Sequence, residues 1–218
     1  MEKNRTINPA NSPGSLLSLE FYQGTDVVDI SRKLLGKVLV SQFDGITTAG
    51  MIVETEAYRG PDDKACHAYN NRRTPRTEVM FQPGGISYVY LCYGMHHLFN
   101  VVTAGEDQPH AVLIRAIEPL EGADVMLKRR GFDSMHYRLT AGPGSLSKAL
   151  GIYTRHTGLS LTDTTNPVWI EDRGILVSDD NIQSSSRIGV ESSGECASWP
   201  WRFTIRGSKW ISMPHTVR

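Results

Sequence analysis

The sequence predicts an α+β fold in a single domain, and three observations support this prediction. The chain has 218 residues, a length that suits one large domain. Hydrophobic residues make up 39% of the chain and charged residues 21%, so collagen, coiled coils and wholesale disorder are poor fits. Segments rich in β-branched and aromatic residues alternate with short helical patterns, and no linker rich in Pro or Ser separates them.

A helix and a hairpin are the first predicted elements. Asp26 caps a short helix whose apolar residues follow helical spacing until Gly36 stops it. Two strands rich in Val, Ile and Thr follow, at 37–43 and 47–58. An Asp-Gly pair joins them, and this dipeptide is typical of a tight antiparallel turn with positive φ.

The middle of the chain predicts a polar loop, a second hairpin and a buried strand. The loop runs from 59 to 82 and carries several arginines. After a Pro-Gly-Gly turn, the hairpin strands lie at 86–92 and 98–103. The next apolar run, 111–117, is a strand buried on both faces apart from Arg115.

Two helices and three strands complete the prediction. Pro119 suits the first turn of a helix that reaches Arg130, and Pro143 opens another that Gly151 ends. The candidate strands of the C-terminal part lie at 168–177, 187–191 and 201–205.

Charge is balanced over the whole chain but uneven along it. Lys and Arg total 23, Asp and Glu total 23, and the net charge of +0 provides no overall basic field for nucleic acid. Runs 59–76, 128–138 and 202–209 each carry a net charge of +3, whereas 162–195 carries −5. The hypothesis is a two-faced molecule with phosphate contacts on one side, and scattered solvated charge is the alternative. The candidate contacts to a DNA backbone are Arg72, Arg73 and Arg76.

The three cysteines and the N-terminal segment indicate a compartment. Cys66, Cys92 and Cys196 are widely spaced and form no C-x-x-C pair, so neither a disulfide framework nor a zinc knuckle is expected. Residues 1–18 lack the apolar core of a signal peptide and are predicted to be a flexible arm before a domain at 19–218. No run approaches 18 apolar residues. We therefore expect a cytoplasmic protein with no membrane partner.

Several common catalytic motifs are absent from the sequence. It contains no G-x-x-x-x-G-K-[ST], G-x-G-x-x-G, H-E-x-x-H or G-x-S-x-G pattern, which argues against nucleotide hydrolysis, dehydrogenation and serine hydrolysis. The pairs Cys66-His67 and His96-His97 have no recognisable ligand spacing. We expect no metal and no cofactor.

Paired carboxylates are the first chemical signal. On a strand, the two-residue period points Glu54, Glu56 and Tyr58 to one face. Neighbouring carboxylates can split their pKa values and supply a general acid or base, whereas the alternative is a solvated strand face. Arg115 stands in an apolar run and needs an anionic partner, for which Glu56 and Glu118 are candidates. It either orients a catalytic carboxylate or forms a structural ion pair.

Aromatic residues around the second hairpin are the other signal. Tyr88 and Tyr90 share a strand face, and Tyr93 begins the turn. A ring at a hairpin tip can act as a wedge between stacked bases, and rings lower down can hold a base drawn out of the duplex. Packing of the sheet is the alternative explanation for these rings.

Several segments together resemble the alkyladenine (3-methyladenine) DNA glycosylase family. The most specific are Val53-Glu54-Thr55-Glu56-Ala57-Tyr58 with Gly60-Pro61, and Tyr88-Val89-Tyr90 followed by Tyr93-Gly94-Met95. The likeness runs from about residue 19 to 213 and includes segments 34–40, 74–76, 113–122, 142–152 and 206–210. The resemblance implies a mixed α/β domain with a curved antiparallel sheet, peripheral helices and a protruding hairpin.

The resemblance also implies an activity and a role for each matching residue. The family's enzymes flip an alkylated or deaminated purine out of duplex DNA and hydrolyse its N-glycosidic bond, leaving an abasic site. By this resemblance Glu56 is the general base for water and Arg115 lies beside it. The expected base contacts are Tyr58, Ala65 through its backbone, His67, Tyr90 and the guanine-excluding Asn100, while Tyr93 fills the vacated space. We expect double-stranded DNA as the partner and a monomer as the working form.

Two other functions are consistent with the same residues. A glycosidase acting on free nucleosides or sugars would use Glu54 and Glu56 but would leave Tyr93 without a task. A catalytically inert module that binds damaged DNA would use the aromatic pocket and would leave Glu56 idle.

Overall fold

An antiparallel sheet runs through the part of the chain that the computed structural model describes, residues 14–212. The strands are β1 (Ser15–Leu16), β2 (Val38–Phe43), β3 (Ile46–Arg59), β4 (Ile86–Cys92), β5 (His96–Thr103), β6 (His110–Glu121), β7 (Val168–Asp172), β8 (Ile182–Ser185) and β9 (Arg202–Ile205). The main path across the sheet is β1-β7-β2-β3-β6-β5-β4, while β9 pairs with β3 and β8 pairs with β9. The predicted α+β fold with a curved antiparallel sheet is confirmed.

Short helices lie around the sheet. They are α1 (Leu19–Tyr22), α2 (Val27–Lys33), α3 (Ala123–Arg130) and α4 (Pro143–Leu150). Short 3₁₀ segments occur at Tyr69–Asn71, Glu78–Phe81, Tyr137–Leu139, Thr154–His156, Asp179–Asn181 and Glu191–Ser198, the last of which is interrupted at Gly194. The two turns at 69–71 and 78–81 lie inside the stretch that was predicted as a continuous polar loop.

The N-terminal predictions agree closely with the structure. The Asp26 carboxylate accepts hydrogen bonds from the backbone N–H groups of Val28 and Asp29, as an N-cap does. Asp44 and Gly45 both have positive φ, at 54° and 74°, which is the geometry that the Asp-Gly pair predicted between β2 and β3. Residues 1–13 of the predicted arm lie outside the described residues, and Ser15–Leu16 of the same arm pair with β7.

The helix predicted from Pro119 begins later, at Ala123. Pro119 instead belongs to β6, which continues to Glu121 and pairs with β3. β5 pairs with β6 only as far as Leu113. On that side of β6 no strand requires a hydrogen bond from residue 119, so a proline, which lacks the N–H, is tolerated there. The predicted end of this helix, at Arg130 before Gly131, is confirmed, as is the helix from Pro143 to Gly151.

Two predicted strands of the C-terminal part are wrong in extent or place. The strand predicted at 168–177 ends at Asp172, because Gly174 takes positive φ and its N–H is bound by the Asp172 carboxylate. Residues 187–191 form no strand; Gly189 has positive φ, and the Arg187 side chain is buried. The paired strand is β8, whose sequence Ile-Gln-Ser-Ser is too polar to show an apolar alternation.

Three apolar clusters pack against the strands of residues 14–212, and two of them support the strands that carry the candidate site. The larger one lies between the sheet and the helices and includes Leu39, Ile52, Phe99, Ile114, Ile117, Leu146 and Leu150. The smaller one lies beneath the 59–82 segment and includes Cys66, Met80, Phe81, Tyr88 and Ala111. Tyr58 and Tyr90 pack against this second cluster, and this close packing restricts the movement of their rings.

β3 is the strand that positions the candidate site. It has 14 residues, and irregularities in its pairing with β6 fall at Ile52/Glu54 and Glu54/Thr55. On the other side β9 pairs with Glu54, Thr55 and Glu56. The neighbouring strands therefore enclose both carboxylates of β3, Glu54 and Glu56. A β-bulge often changes the direction in which a side chain of the strand points.

Candidate active site

A cavity of about 990 Å³ opens between the β4–β5 hairpin, the loop after β3, the first turn of α4 and residues 188–190. Its wall contains eight of the residues predicted to form the site. These are Tyr58, Ala65, His67, Arg76, Tyr90, Tyr93, Asn100 and Arg115. The sequence prediction and the structure thus bring together residues that are up to 57 positions apart.

Glu56 lies directly behind this wall. It has no exposed surface, and three donors hold its carboxylate. Tyr58 Oη and Arg115 Nη1 donate to Oε2 across 2.7 and 3.2 Å, and the backbone N–H of Ile188 donates to Oε1 across 2.8 Å. All three donor residues line the cavity, so the carboxylate is separated from it by its own hydrogen-bond partners. The alternative of a solvated strand face is excluded.

Glu54 binds Arg115 from the opposite side. Arg115 Nε donates to Glu54 Oε1 across 2.9 Å, and Arg202 Nε donates to the same oxygen across 2.7 Å. Ser212 adds its N–H and its hydroxyl, each at 2.6 Å. Burial alone would raise the pKa of Glu54, but the two guanidinium groups outweigh burial and hold this pKa below its ordinary value. Glu54 is therefore the anion that fixes Arg115.

Arg115 is almost fully buried between the two carboxylates. Burial opposes its charge, yet Glu56 and Glu54 together raise its pKa above the ordinary arginine value. Its partners are Glu54 and Glu56; Glu118, the other candidate from the sequence, forms no ion pair with it. A buried arginine with two buried acidic partners is a fixed charge, so its guanidinium can orient Glu56 without exchanging protons.

A second buried ion pair joins the loop after β3 to the segment beside Glu56. Arg187 and Asp63 are both buried and form two parallel hydrogen bonds, one of them 2.8 Å long. Arg187 also donates to the carbonyl oxygen of Ala57, and its Cζ lies 4.7 Å from the centroid of the Tyr58 ring. Because Ile188 follows Arg187 directly, this pair places the N–H that binds Glu56.

Aromatic rings form one wall of the cavity. His67 meets Tyr90 edge to face, with ring centroids 4.6 Å apart, and its Nδ1 lies 2.9 Å from Tyr88 Oη. Burial of the imidazole, followed by the positive charge of Arg76, lowers the pKa of His67 to about 4. Burial also raises the pKa of Tyr90 above its ordinary value. Near neutral pH, the wall consists of uncharged rings.

Asn100 has little freedom in this wall. Its Nδ2 donates to the carbonyl oxygens of Tyr88 and Leu98, across 3.0 and 3.1 Å. Both amide hydrogens are therefore occupied, and the group left for a ligand is the side-chain oxygen. This oxygen can accept a hydrogen bond but cannot donate one.

Tyr93 is the most exposed aromatic residue of the hairpin. Its side chain is 87% exposed, and Met95 beside it is 69% exposed. Tyr93 and Gly94 form the tight turn between β4 and β5 with φ of 51° and 70°. A positive φ is unfavourable for a bulky residue, and such strain is often found at functional positions. Sheet packing explains Tyr88, which is buried, but it does not explain Tyr93.

The predicted phosphate contacts occupy different surroundings. Arg72 is exposed and makes no side-chain hydrogen bond or ion pair with residues 14–212. Arg73 pairs with Glu78 and Asp107 and lies over the Phe81 ring. Arg76 lies at the cavity mouth beside His67. Of the other basic runs, Arg130 and Arg138 line the cavity, whereas Arg202 is bound internally by Glu54.

Comparison with known proteins agrees with this geometry. Residues 20–209 match the model of the family described as Methylpurine-DNA glycosylase (MPG). The chain belongs to this family. Its members are hydrolases of N-glycosyl bonds, so the class of enzyme predicted from the sequence is confirmed.

Bacterial members of the family align over nearly the whole chain. A Chlamydia felis protein named "Putative 3-methyladenine DNA glycosylase" is 46% identical over 195 residues, which cover 89% of this chain and 98% of that protein. A Bacillus cereus (strain G9842) protein of the same name is 45% identical over 198 residues, covering 88% of this chain and 96% of its own. The methylpurine-DNA glycosylase match therefore includes the carboxylates, the aromatic wall and the hairpin.

Residues 14–212 contain neither a candidate metal-ligand cluster nor a helix suited to crossing a membrane. No group of three or more His, Cys, Asp or Glu side chains there is arranged to hold a metal ion. None of the helices in this part of the chain has the length and apolar character required to cross a membrane.

Sequence reasoning missed four residues that shape the site. Asp63, Arg187, Arg202 and Ser212 are all buried around Glu54 or Tyr58. Asp63 is hidden in a polar loop and Arg187 in a segment predicted as a strand, so neither has a local signal. One sequence signal does point to such residues: charged residues occur in apolar surroundings. Buried charges require partners, and these partners can come from distant segments of the chain.

Proposed function

We propose that this protein excises alkylated or deaminated purines from double-stranded DNA and leaves an abasic site. Water activated by Glu56 hydrolyses the N-glycosidic bond. The observation that carries the proposal is the position of Glu56: an ordered, buried carboxylate lies directly behind a cavity lined by Tyr58, His67 and Tyr90. The family model and the names of the bacterial relatives support methylated purines as the substrate class.

Base capture begins at the hairpin. The exposed Tyr93 ring enters the duplex through the minor groove and fills the space that the damaged nucleotide leaves. Expelling a base costs on the order of a few kcal/mol and costs least for a damaged pair, so this step already selects lesions. The flipped purine then stacks against the aromatic wall, where electron-rich rings favour a base made cationic by alkylation.

Two wall residues distinguish among purines. Two backbone carbonyls hold the Asn100 side chain, so it cannot move aside. By the family resemblance, this side chain clashes with the exocyclic amine of guanine. This clash excludes undamaged guanine. The backbone of Ala65 contacts the base from the opposite loop, which the Asp63 carboxylate holds by accepting the Ala65 N–H across 3.0 Å.

The chemical step adds one water molecule across the N-glycosidic bond. The bond from C1′ to the purine nitrogen breaks, and the sugar develops oxocarbenium-like positive charge. The Glu56 carboxylate stabilises that charge and takes a proton from water as the oxygen bonds to C1′. A cationic purine leaves as a neutral base, whereas a neutral one such as hypoxanthine must gain a proton from protein or water as it leaves. No covalent enzyme intermediate is formed.

Water must reach Glu56 through a wall that is closed in the free protein. Tyr58 and Ile188 each donate a hydrogen bond to the carboxylate from the cavity side. One of these two bonds therefore opens in the DNA complex and exposes an oxygen to the water. Arg115 keeps the carboxylate in place meanwhile, because Glu54 holds it from behind.

The remaining contacts with DNA are electrostatic. Arg72 is exposed and has no side-chain hydrogen bond or ion pair within residues 14–212, and it contacts a phosphate. Arg73 contacts another once it leaves Asp107 and Glu78. One displaced nucleotide and one wedge need one copy of the chain, so the working form is a monomer acting on DNA in the cytoplasm. The proposed catalytic domain is 19–218, and the division at residue 18 stays a prediction.

An inert module that binds damaged DNA is the second candidate, and the complete burial of Glu56 favours it. The deciding experiment incubates the protein with duplexes that contain 3-methyladenine, hypoxanthine or ethenoadenine, followed by alkaline cleavage at abasic sites. We expect strand cleavage at the lesion. Tight binding of these duplexes without cleavage would support the inert module.

The same assay separates the glycosylase from a nucleoside hydrolase. Free deoxynucleosides of the same bases are supplied in parallel, and release of the base is measured by chromatography. We expect release from duplex DNA only, because a nucleoside offers no duplex for Tyr93 to enter. Equal release from nucleosides would contradict the role of the hairpin.

A further inference from the structure

Arg76 lies inside the mouth of the aromatic cavity. Its Cζ is 4.8 Å from the centroid of the Tyr90 ring, and its Nη2 is 3.2 Å from Nε2 of His67. It also contributes to the lining of the cavity. Arg72, four positions earlier in the same loop, makes no such contact within residues 14–212. Two arginines of one loop thus have different surroundings.

The contact between Arg76 and His67 determines where the imidazole carries its proton. A guanidinium has only donors, so Arg76 Nη2 donates and His67 Nε2 accepts. A neutral imidazole then holds its hydrogen on Nδ1, which lies 2.9 Å from the oxygen of Tyr88 and donates to it. Arg76 therefore presents to the cavity a His67 ring with no free donor on Nε2.

Arg76 also adds a positive charge beside the wall. Its guanidinium covers the ring of Tyr90, and Arg187 lies in the same way 4.7 Å from the centroid of Tyr58. A purine alkylated at N3 or N7 is a cation, so it competes with Arg76 for the electron-rich face and is repelled by it. A neutral purine meets no such repulsion.

We propose that Arg76 sets the discrimination between cationic and neutral purines. It weakens the hold on cationic bases at Tyr90 and keeps His67 as the uncharged Nδ1–H form for neutral ones. This inference rests on the proposed function, because it requires the flipped purine to lie against Tyr58, His67 and Tyr90. The selectivity has a chemical use: cationic bases leave readily, while neutral bases depend more on tight binding.

The test compares Arg76→Gln with Arg72→Gln, which removes the same charge from the same loop away from the rings. Single-turnover excision is measured from duplexes that contain hypoxanthine or 3-methyladenine. We expect Arg76→Gln to shift the rate ratio toward 3-methyladenine by about threefold to fivefold, the size of an exposed cation–π contact. Arg72→Gln slows both reactions by the same factor, and Arg76→Lys, which retains the charge, keeps the wild-type ratio.

Two outcomes would overturn the inference. If Arg76→Gln slows both lesions equally and reduces the salt dependence of binding, Arg76 is a phosphate contact. If the ratio stays at the wild-type value without any loss of rate, Arg76 has no role in selection. All three variants change an exposed side chain, and their thermal midpoints show whether the fold is intact.

An NMR measurement tests the His67 part separately. Two-bond ¹H–¹⁵N correlations of the imidazole distinguish the two neutral tautomers. We expect the Nδ1–H form of His67 in the wild-type protein and a mixture with the Nε2–H form in Arg76→Gln. A wild-type Nε2–H form would overturn the inference. A wild-type protein that excises neither lesion would contradict the proposed function instead, and the spectrum would still decide the tautomer.

Discussion

The hydroxyl of Tyr58 donates a 2.7 Å hydrogen bond to Glu56 Oε2 from two positions along the same strand. Tyr58 lines the cavity and Glu56 does not, so one phenol is both a wall of the cavity and a partner of the buried carboxylate. Burial, followed by the charge of Glu56, raises the pKa of Tyr58 well above its ordinary value. The phenol therefore remains a donor throughout the neutral and mildly alkaline range.

Tyr58→Phe keeps the ring and removes this donor. Hydrogen bonds to charged groups contribute about 1.5 to 3 kcal/mol, so we expect the free energy of unfolding to fall by that amount at pH 7. Urea unfolding measures it. Tyr93→Phe is the control, because the Tyr93 hydroxyl is exposed and forms no hydrogen bond with residues 14–212. Equal stability of Tyr58→Phe and the wild type would mean that this hydrogen bond does not contribute to the free energy of unfolding.

Two adjacent aspartates provide a matched test of the buried ion pair. Asp63→Ala leaves Arg187 buried without its anionic partner, and we expect a loss of about 3 to 5 kcal/mol of unfolding free energy. Asp62→Ala removes an exposed pair with Arg59 and should cost below about 1 kcal/mol. Chemical denaturation of both variants gives the comparison. Similar losses for the two would show that the Asp63–Arg187 pair has no special role in stability.

The wedge role of Tyr93 predicts a change in lesion capture. Tyr93→Ala should weaken binding of a hypoxanthine-containing duplex by about tenfold or more, since base–aromatic stacking contributes roughly 1 to 3 kcal/mol. The excision rate of the bound duplex should change less, because Glu56 is untouched. Leu176→Ala, at a residue that is 93% exposed and outside the cavity lining, should bind normally. Unchanged affinity of Tyr93→Ala would remove the wedge from the mechanism.

Four histidines with lowered pKa values predict how stability depends on pH. Burial lowers the pKa of His110 below the ordinary value of 6.5, and the pKa values of His67, His97 and His156 are also lowered. Between these values and 6.5 the unfolded chain binds more protons than the folded protein. The free energy of unfolding should therefore fall as the pH drops below about 6.5 and should be free of this effect above it. Urea titrations at successive pH values would detect the slope, and His110→Asn should reduce it. A flat profile between pH 7 and pH 5 would contradict the prediction.

Local sequence patterns predict most of the helices and strands of the fold. Asp26 and the Asp-Gly turn marked a helix start and a hairpin because their side-chain and backbone preferences act within a few residues. Pro119 was misassigned because a proline fits both the first turn of a helix and an unpaired strand edge. Its partner strand decided between them, and pairing is a long-range property.

The candidate site is also predictable only in part. Its lining residues were predicted from the resemblance and from strand alternation, and the structure brings them around one cavity. The residues that hold them, Asp63 and Arg187, lie 124 positions apart and meet only through the fold. Burial of Glu56 could not be predicted either, because β9 covers it from the far end of the chain.

The most direct test of the central claim is single-turnover excision by Glu56→Gln. A general base contributes roughly 10² to 10⁴ to a rate, so abasic-site formation from a hypoxanthine duplex should fall by at least about 100-fold. Binding of the same duplex should remain, and Glu118→Gln, which alters a carboxylate on the neighbouring strand, should excise at the wild-type rate. Abasic sites formed by Glu56→Gln at the wild-type rate would contradict the role of Glu56.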